Sequence, residues 1–146
     1  MNKRGENMEE FITLFDQVYE KIMDKYYQTI KEETIAFSLT EREERYLNII
    51  YKNYTITLSE FAEKSKITKP AATQIINAFV EKGYVIKTIS ATDKRVYHVA
   101  LTKEMKKYIE KSYEKLDALY KECLSLITKQ ELEMLNTTLH KINNSI

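Results

Sequence analysis

The 146-residue chain has few loop-making residues: two glycines and one proline. Connections must therefore be short and regular structure extensive. Its single cysteine, Cys123, excludes an intramolecular disulfide. Nothing basic stands directly beside that thiol in sequence to lower its pKa, so it reads as a core residue. The only histidines are His98 and His140, and HExxH, CxxC and glycine-rich phosphate loops are absent. Little is left from which to build a metal or phosphotransfer centre, and no cofactor is expected. No apolar run approaches the roughly 20 residues of a membrane span. The N-terminus, MNKRGENMEE, is polar where a secretory signal needs an apolar segment. The expectation is a soluble, cytoplasmic protein. A net charge of +1 excludes a polycation, so binding to nucleic acid would require charge concentrated on one segment.

The chain does have apolar residues at helical spacing. Hydrophobic residues make up 43% and charged residues 31%, the latter above an average of about 25%. Met8, Phe11, Ile12, Phe15, Val18, Tyr19, Ile22, Tyr26 and Ile30 mark one face of a long helix over 8–32. Part of that stripe must meet another subunit, because a small core cannot cover it. Thr40/Glu43, Thr57/Glu60 and Thr128/Glu131 each have capping-box spacing. They predict helices over about 41–52, 58–65 and 129–143. Inward residues are Tyr46, Leu47, Ile50 and Tyr51 on the first, and Leu58, Phe61 and Ala62 on the second. After a turn at Lys66–Ile67, Thr68 caps a helix over about 69–82 with Pro70 in its first turn. Ala71, Ala72, Ile75, Ile76, Phe79 and Val80 form its buried side, and Gly83 suits a positive-φ exit. YVIKTI (84–89) and VYHVALT (96–102) read as two strands, with Tyr97, Val99 and Leu101 alternating with His98 and Ala100. Thr102 caps a last long stretch to about 127, with Met105, Ile109, Leu116, Leu119, Cys123 and Ile127 as its stripe. The fold class is mainly α with a small β-hairpin. Segment 40–102 reads as a winged helix-turn-helix, flanked by helical arms at 1–39 and 103–146.

Two features of the central segment carry chemistry. On the 69–82 helix, Lys69, Thr73 and Asn77 recur every fourth residue with Gln74 beside them, and no carboxylate intervenes before Glu81. Gln and Asn can pair bidentately with adenine; Lys and Thr can reach guanine or phosphate. A polar surface helix is the plainer alternative. Residues 61–98 hold seven Lys/Arg against three acids, a net +4, while the rest of the chain nets −3. Phosphate neutralisation needs that concentration. The second feature is the hairpin tip SATDKRVY (90–97). Arg95 could enter a narrow minor groove. Asp93 could brace its guanidinium or cap the turn through the backbone. A turn-stabilising Asp beside a solvated Arg is the bland counterpart.

The run LSEFAEKSKITKPAATQIINAFVEKGYVIKTISATDKRVYHVALT (58–102) resembles the winged helix-turn-helix core of MarR-type transcriptional regulators. The resemblance lies in EFA (60–62), ITKPAAT, the EKGYV exit, the DKR wing and the closing LT. It implies a homodimer held by the terminal helices, with each 69–82 helix in a major groove and each wing near a minor groove. Carried over by position, the recognition helix supplies Thr68, Lys69, Thr73, Gln74 and Asn77, and the wing supplies Asp93, Lys94 and Arg95. Lys64 and Lys66 are the expected backbone contacts. Two departures stand out. Gln74 occupies a position where many relatives carry Arg, and KEMKK follows the LT where a glycine is common. The base preference is therefore not transferable.

The expected function is that of a sequence-specific double-stranded DNA-binding regulator, a repressor acting as a homodimer on a near-palindromic operator, and not an enzyme. Relatives often sense small aromatic or phenolic effectors, and Tyr19, Tyr26, Tyr108 and Tyr113 on the long helices invite that idea. Tyrosines at a helical dimer interface explain the same residues. Two rivals remain: a helical interaction module whose winged helix does not bind DNA, and a metal-dependent enzyme using His140 with nearby acids.

Overall fold

Each of the three capping boxes forms, and each starts a helix. The Thr40, Thr57 and Thr128 hydroxyls accept from the amides of Glu43, Glu60 and Glu131, whose carboxylates accept in return from the threonine amides. In the computed structural model, which describes residues 3–33 (backbone alone for 31–33) and 37–146, the order is all-helical except for three short strands. These elements are α1 (Lys3–Glu33), α2 (Glu41–Asn53), β1 (Thr55–Thr57), α3 (Leu58–Ser65), α4 (Lys69–Glu81), β2 (Val85–Ile89), β3 (Tyr97–Leu101), α5 (Lys103–Leu124) and α6 (Lys129–Asn143). Residues 1, 2 and 34–36 of the expected 1–39 arm lie outside the described residues.

The carboxylates of the boxes are held below the usual range. For Glu43 the Lys82 ammonium is the largest cause and the Thr40 amide the next. For Glu60 and Glu131 the capped threonine amide dominates.

The chain divides into two compact units, Ile35–Ser112 and Met1–Thr34 with Tyr113–Ile146. In the first, the hairpin of β2 and β3 gains a third strand that the sequence did not announce. The sheet order is β1-β3-β2, antiparallel throughout, with Ile56 opposite Val99 and Val85 opposite Leu101. Thr57 ends β1 and caps α3, so no loop separates them. The core gathers Leu47 and Ile50 of α2, Ile56 of β1, Phe61 of α3, Ile76 and Phe79 of α4, Val99 of β3 and Met105 of α5, each 3% exposed or less. Val80, expected inside, is 40% exposed. It lies past the edge of the stripe that Ala72, Ile76 and Phe79 bury.

Both helices of the helix-turn-helix end in the same way. At the end of α4, the Gly83 amide donates to the Val80 carbonyl and the Tyr84 amide to that of Phe79. Gly83 has φ of 73°, and the Tyr84 and Phe79 rings pack at 5.6 Å, which completes a Schellman motif. At the end of α3, the Lys66 amide donates to Glu63 and the Ile67 amide to Ala62. Here the left-handed residue is Lys66, with φ of 55°, where glycine is usual. The Thr102 hydroxyl accepts from the Met105 amide and donates to the Gly83 carbonyl, so the start of α5 is tied to the end of α4.

In the second unit, Lys25 of α1 pairs with Glu122 of α5 at 3.4 Å. Ile22, Met23 and Ile30 are half-buried, whereas Met8, Phe11, Ile12, Phe15, Val18 and Tyr19 are all more than half exposed. α6 buries no residue completely. α5 stops at Leu124, short of the expected 127, and residues 125–127 turn into the Thr128 cap.

Candidate nucleic-acid interface

α4 presents its polar residues in two rows. On one side Gln74 lines a groove of about 400 Å³ between α4 and the start of α2. Ala71, Ile75, Ala78 and Phe79 supply its apolar floor, and Arg42, Glu43 and Lys82 its charged rim. The Arg42 Nε donates to the Tyr46 hydroxyl at 3.0 Å, and the Arg42 and Arg45 guanidinium groups each lie 5.6 Å from the Tyr46 ring centre. Lys82 closes the groove by pairing with Glu43, so it is not a free cation.

On the other side the row is Lys69, Thr73 and Asn77. Lys69 and Asn77 are exposed and Thr73 half-buried. The Thr73 hydroxyl donates to the Lys69 carbonyl at 3.0 Å, which leaves its oxygen free to accept. Asn77 faces the hairpin, where its Oδ1 accepts from the Lys87 Nζ at 3.3 Å. The Lys87 ammonium also lies 4.3 Å from the centre of the Tyr97 ring. Gln74 thus borders the α2 side of the polar face and Asn77, less than a turn on, its hairpin side.

Thr68 accepts from the Ala71 amide and opens α4, which has no acidic residue in its first turn. An uncapped carboxylate there would repel a phosphate from the helix end. Lys66 sits in the turn just before it. Lys64 is held by the Asn53 Oδ1 at 2.9 Å.

The hairpin tip is a closed turn. Ser90 N donates to the Val96 carbonyl at 2.8 Å and Val96 N to the Asp93 carbonyl at 3.0 Å. Lys94 and Arg95 occupy the two central positions of that β-turn, and both are exposed. The Asp93 Oδ1 accepts from the Arg95 backbone amide at 3.0 Å. Of the two roles considered for Asp93, its contact here is with the backbone. Among the described residues it forms no ion pair with the guanidinium. The reason is local: an Asp at the first turn position reaches the amide two residues on, and Arg95 is exposed to solvent.

The residues that sequence reasoning passed over are Lys87, Arg42 and Arg45. Lys87 entered only as one charge of the +4 segment; its alternation with Tyr97 across a two-strand register was the available signal, since Lys87 pairs with Val99 beside Tyr97. His98 is half-buried on the central strand. His140 lines a shallow hollow with Asn136, Leu139, Ile142, Asn143 and Ile146. Among the described residues no group of three or more His, Cys, Asp or Glu is placed to hold a metal ion, and no helix is long and apolar enough to cross a membrane. Cys123 is a half-buried free thiol. Tyr108 packs against Phe37 at 5.4 Å, and burial pushes its phenol up.

A family model described as the MarR family matches residues 39–97. The HTH-type transcriptional regulator FarR of Neisseria gonorrhoeae is 21% identical over 126 residues, 86% of this chain and 84% of that protein. Among solved structures, the YusO protein from Bacillus subtilis superposes with a TM-score of 0.76 at 19% identity, covering 99% of this chain and 100% of that one. A point mutant of Staphylococcus aureus MepR bound to an oligodeoxyribonucleotide gives 0.65 at 19% identity, covering 92% and 96%. The structural likeness shows a shared mainly helical, winged-helix fold. The segment that the MarR family model matches, residues 39–97, holds the helix-turn-helix and the wing.

Proposed function

We propose that the chain is a homodimeric, sequence-specific regulator that binds a near-palindromic duplex and represses transcription. The observation that carries this reading is the arrangement of one module: a helix with no acid in its first turn, preceded by Lys66, and a hairpin turn whose two central residues, Lys94 and Arg95, are exposed. In this reading Thr68, Lys69, Thr73, Gln74 and Asn77 meet the major groove. Arg95 and Lys94 follow the adjacent backbone or enter the minor groove. Lys64 and Lys66 contact phosphates. The bound oligodeoxyribonucleotide of the MepR mutant supports the assignment by analogy of fold. Two copies would read half-sites about one helical turn apart. A small aromatic or phenolic effector that changed their separation would weaken binding.

Selection of bound duplexes from a random pool tests the proposal. The expected result is a near-palindromic consensus bound with a steep salt dependence. Arg95→Ala should lower affinity and reduce the salt slope by about one. Gln74→Ala should relax discrimination at one position by about 1–3 kcal/mol if the contact is bidentate. Absence of salt-dependent duplex binding would return the chain to the class of helical interaction modules.

A further inference from the structure

We propose that Lys87 is a positioning residue for the DNA-reading face, and that it makes Asn77 a hydrogen-bond donor toward the bases. This rests on the DNA-binding reading above. An ammonium has donors and no acceptor, so the atom of Asn77 that faces Lys87 must be the carbonyl oxygen. The structure has that contact at 3.3 Å. Lys87 itself is anchored, with its Nζ 4.3 Å from the Tyr97 ring centre and its stem half-buried on β2. The attraction of a cation to an aromatic face holds the ammonium where it is. The Asn77 amide is therefore oriented from the hairpin side before any ligand arrives.

The consequence is a change in what Asn77 can read. Bidentate pairing with adenine needs the oxygen to accept from N6–H while the nitrogen donates to N7. In this chain the oxygen is already engaged by a cation, and a second donor approaching it meets that positive charge. The Nδ2 hydrogens remain free. They suit an acceptor-rich edge, such as guanine N7 and O6 or thymine O4. Lys87 thus sets the polarity of a contact it does not make, and it links the reading helix to the wing through one side chain.

The test compares wild type, Lys87→Met, Lys87→Arg, Asn77→Ala and the Lys87→Met/Asn77→Ala double variant by selection from a random duplex pool. Methionine keeps the stem and removes the charge. Lys87→Met is expected to shift preference toward adenine at one position per half-site, by about fivefold or more. Arginine, which also donates, should retain the wild-type preference. In the Asn77→Ala background the Lys87→Met change should leave base preference unmoved. In the DNA-free protein the side-chain amide signals of Asn77 should move in Lys87→Met. The proposal is overturned if those signals stay in place, or if Lys87→Met shifts base preference without Asn77. It also falls if affinity drops evenly for all sequences with a smaller salt slope, because Lys87 is then a phosphate contact. A wild-type protein that enriches no duplex overturns the DNA-binding reading itself, and this proposal with it.

Discussion

Asp93 and Arg95 show how two charges two residues apart can have separate tasks. The Asp93 carboxylate holds the Arg95 amide at 3.0 Å, and Arg95 is exposed to solvent. The function of Asp93 then depends on an acceptor oxygen and not on a charge. Asn at this position preserves the acceptor and the turn, since both residues form the same local hydrogen bond. Asp93→Asn should therefore bind DNA as well as wild type or better, because it removes a negative charge near phosphates. Asp93→Ala should lose about 1 kcal/mol, the net value of one hydrogen bond, as the turn loosens. Titration of a labelled duplex separates the two. Equal losses in both variants would mean that the carboxylate charge braces the guanidinium after all. The DKR motif was legible in the sequence, but which atom of Arg95 the aspartate holds was not, because both candidates lie within reach over two residues.

The helices of the module were legible because their ends are written in local chemistry: a Thr and a Glu three residues apart, a Pro in the first turn, a Gly after the last. α3 runs over 58–65, and outside the module α6 runs over 129–143, as those signals predict. β1 was not legible, since three residues between two helices carry no periodicity and pair only through contact with distant β3. Which flank of the α4 face meets α2 and which meets the hairpin was also hidden, because tertiary packing decides it. The turn between α3 and α4 has a comparable hidden feature. Lys66 stands at φ of 55° in a Schellman motif, a conformation that costs an L-residue about 1 kcal/mol relative to glycine. Lys66→Gly should relieve that strain and raise stability by about 0.5–1 kcal/mol, measured by urea denaturation. Under the proposed function it should also weaken DNA binding and lower the salt slope by about one, because a phosphate contact is lost. A stabilised variant with unchanged binding would remove Lys66 from the interface. A destabilised one would show that the lysine side chain packs in a way its strain does not reveal.

At the scale of the whole molecule the distribution of charge and apolar surface is uneven. Residues 61–98 net +4 and the remainder −3. The winged-helix unit closes its own core, whereas α1 leaves Met8, Phe11, Ile12, Phe15, Val18 and Tyr19 between 51% and 62% exposed. α6 adds Met134, Leu139 and Ile142 at 48% or more. Exposed apolar stripes of this length mark an interaction surface. Under the proposed homodimer a second copy covers them, which also supplies the second reading helix that a near-palindromic site requires. Replacing Phe11 and Phe15 together by Glu places two buried charges in that interface without touching the winged-helix core. Sedimentation equilibrium should then report the 17.3 kDa monomer, while the amide spectrum of residues 40–102 stays as in wild type. Each monomer would still engage a half-site, but linkage of the two would be gone. Affinity for the full site should fall by about a hundredfold or more, the size of the gain that joining two binding modules confers. Affinity for an isolated half-site should not change. If the double variant remains dimeric, the stripe of α1 is not the interface. If it becomes monomeric yet keeps full-site affinity, a single copy reads the whole operator and the near-palindrome is not required.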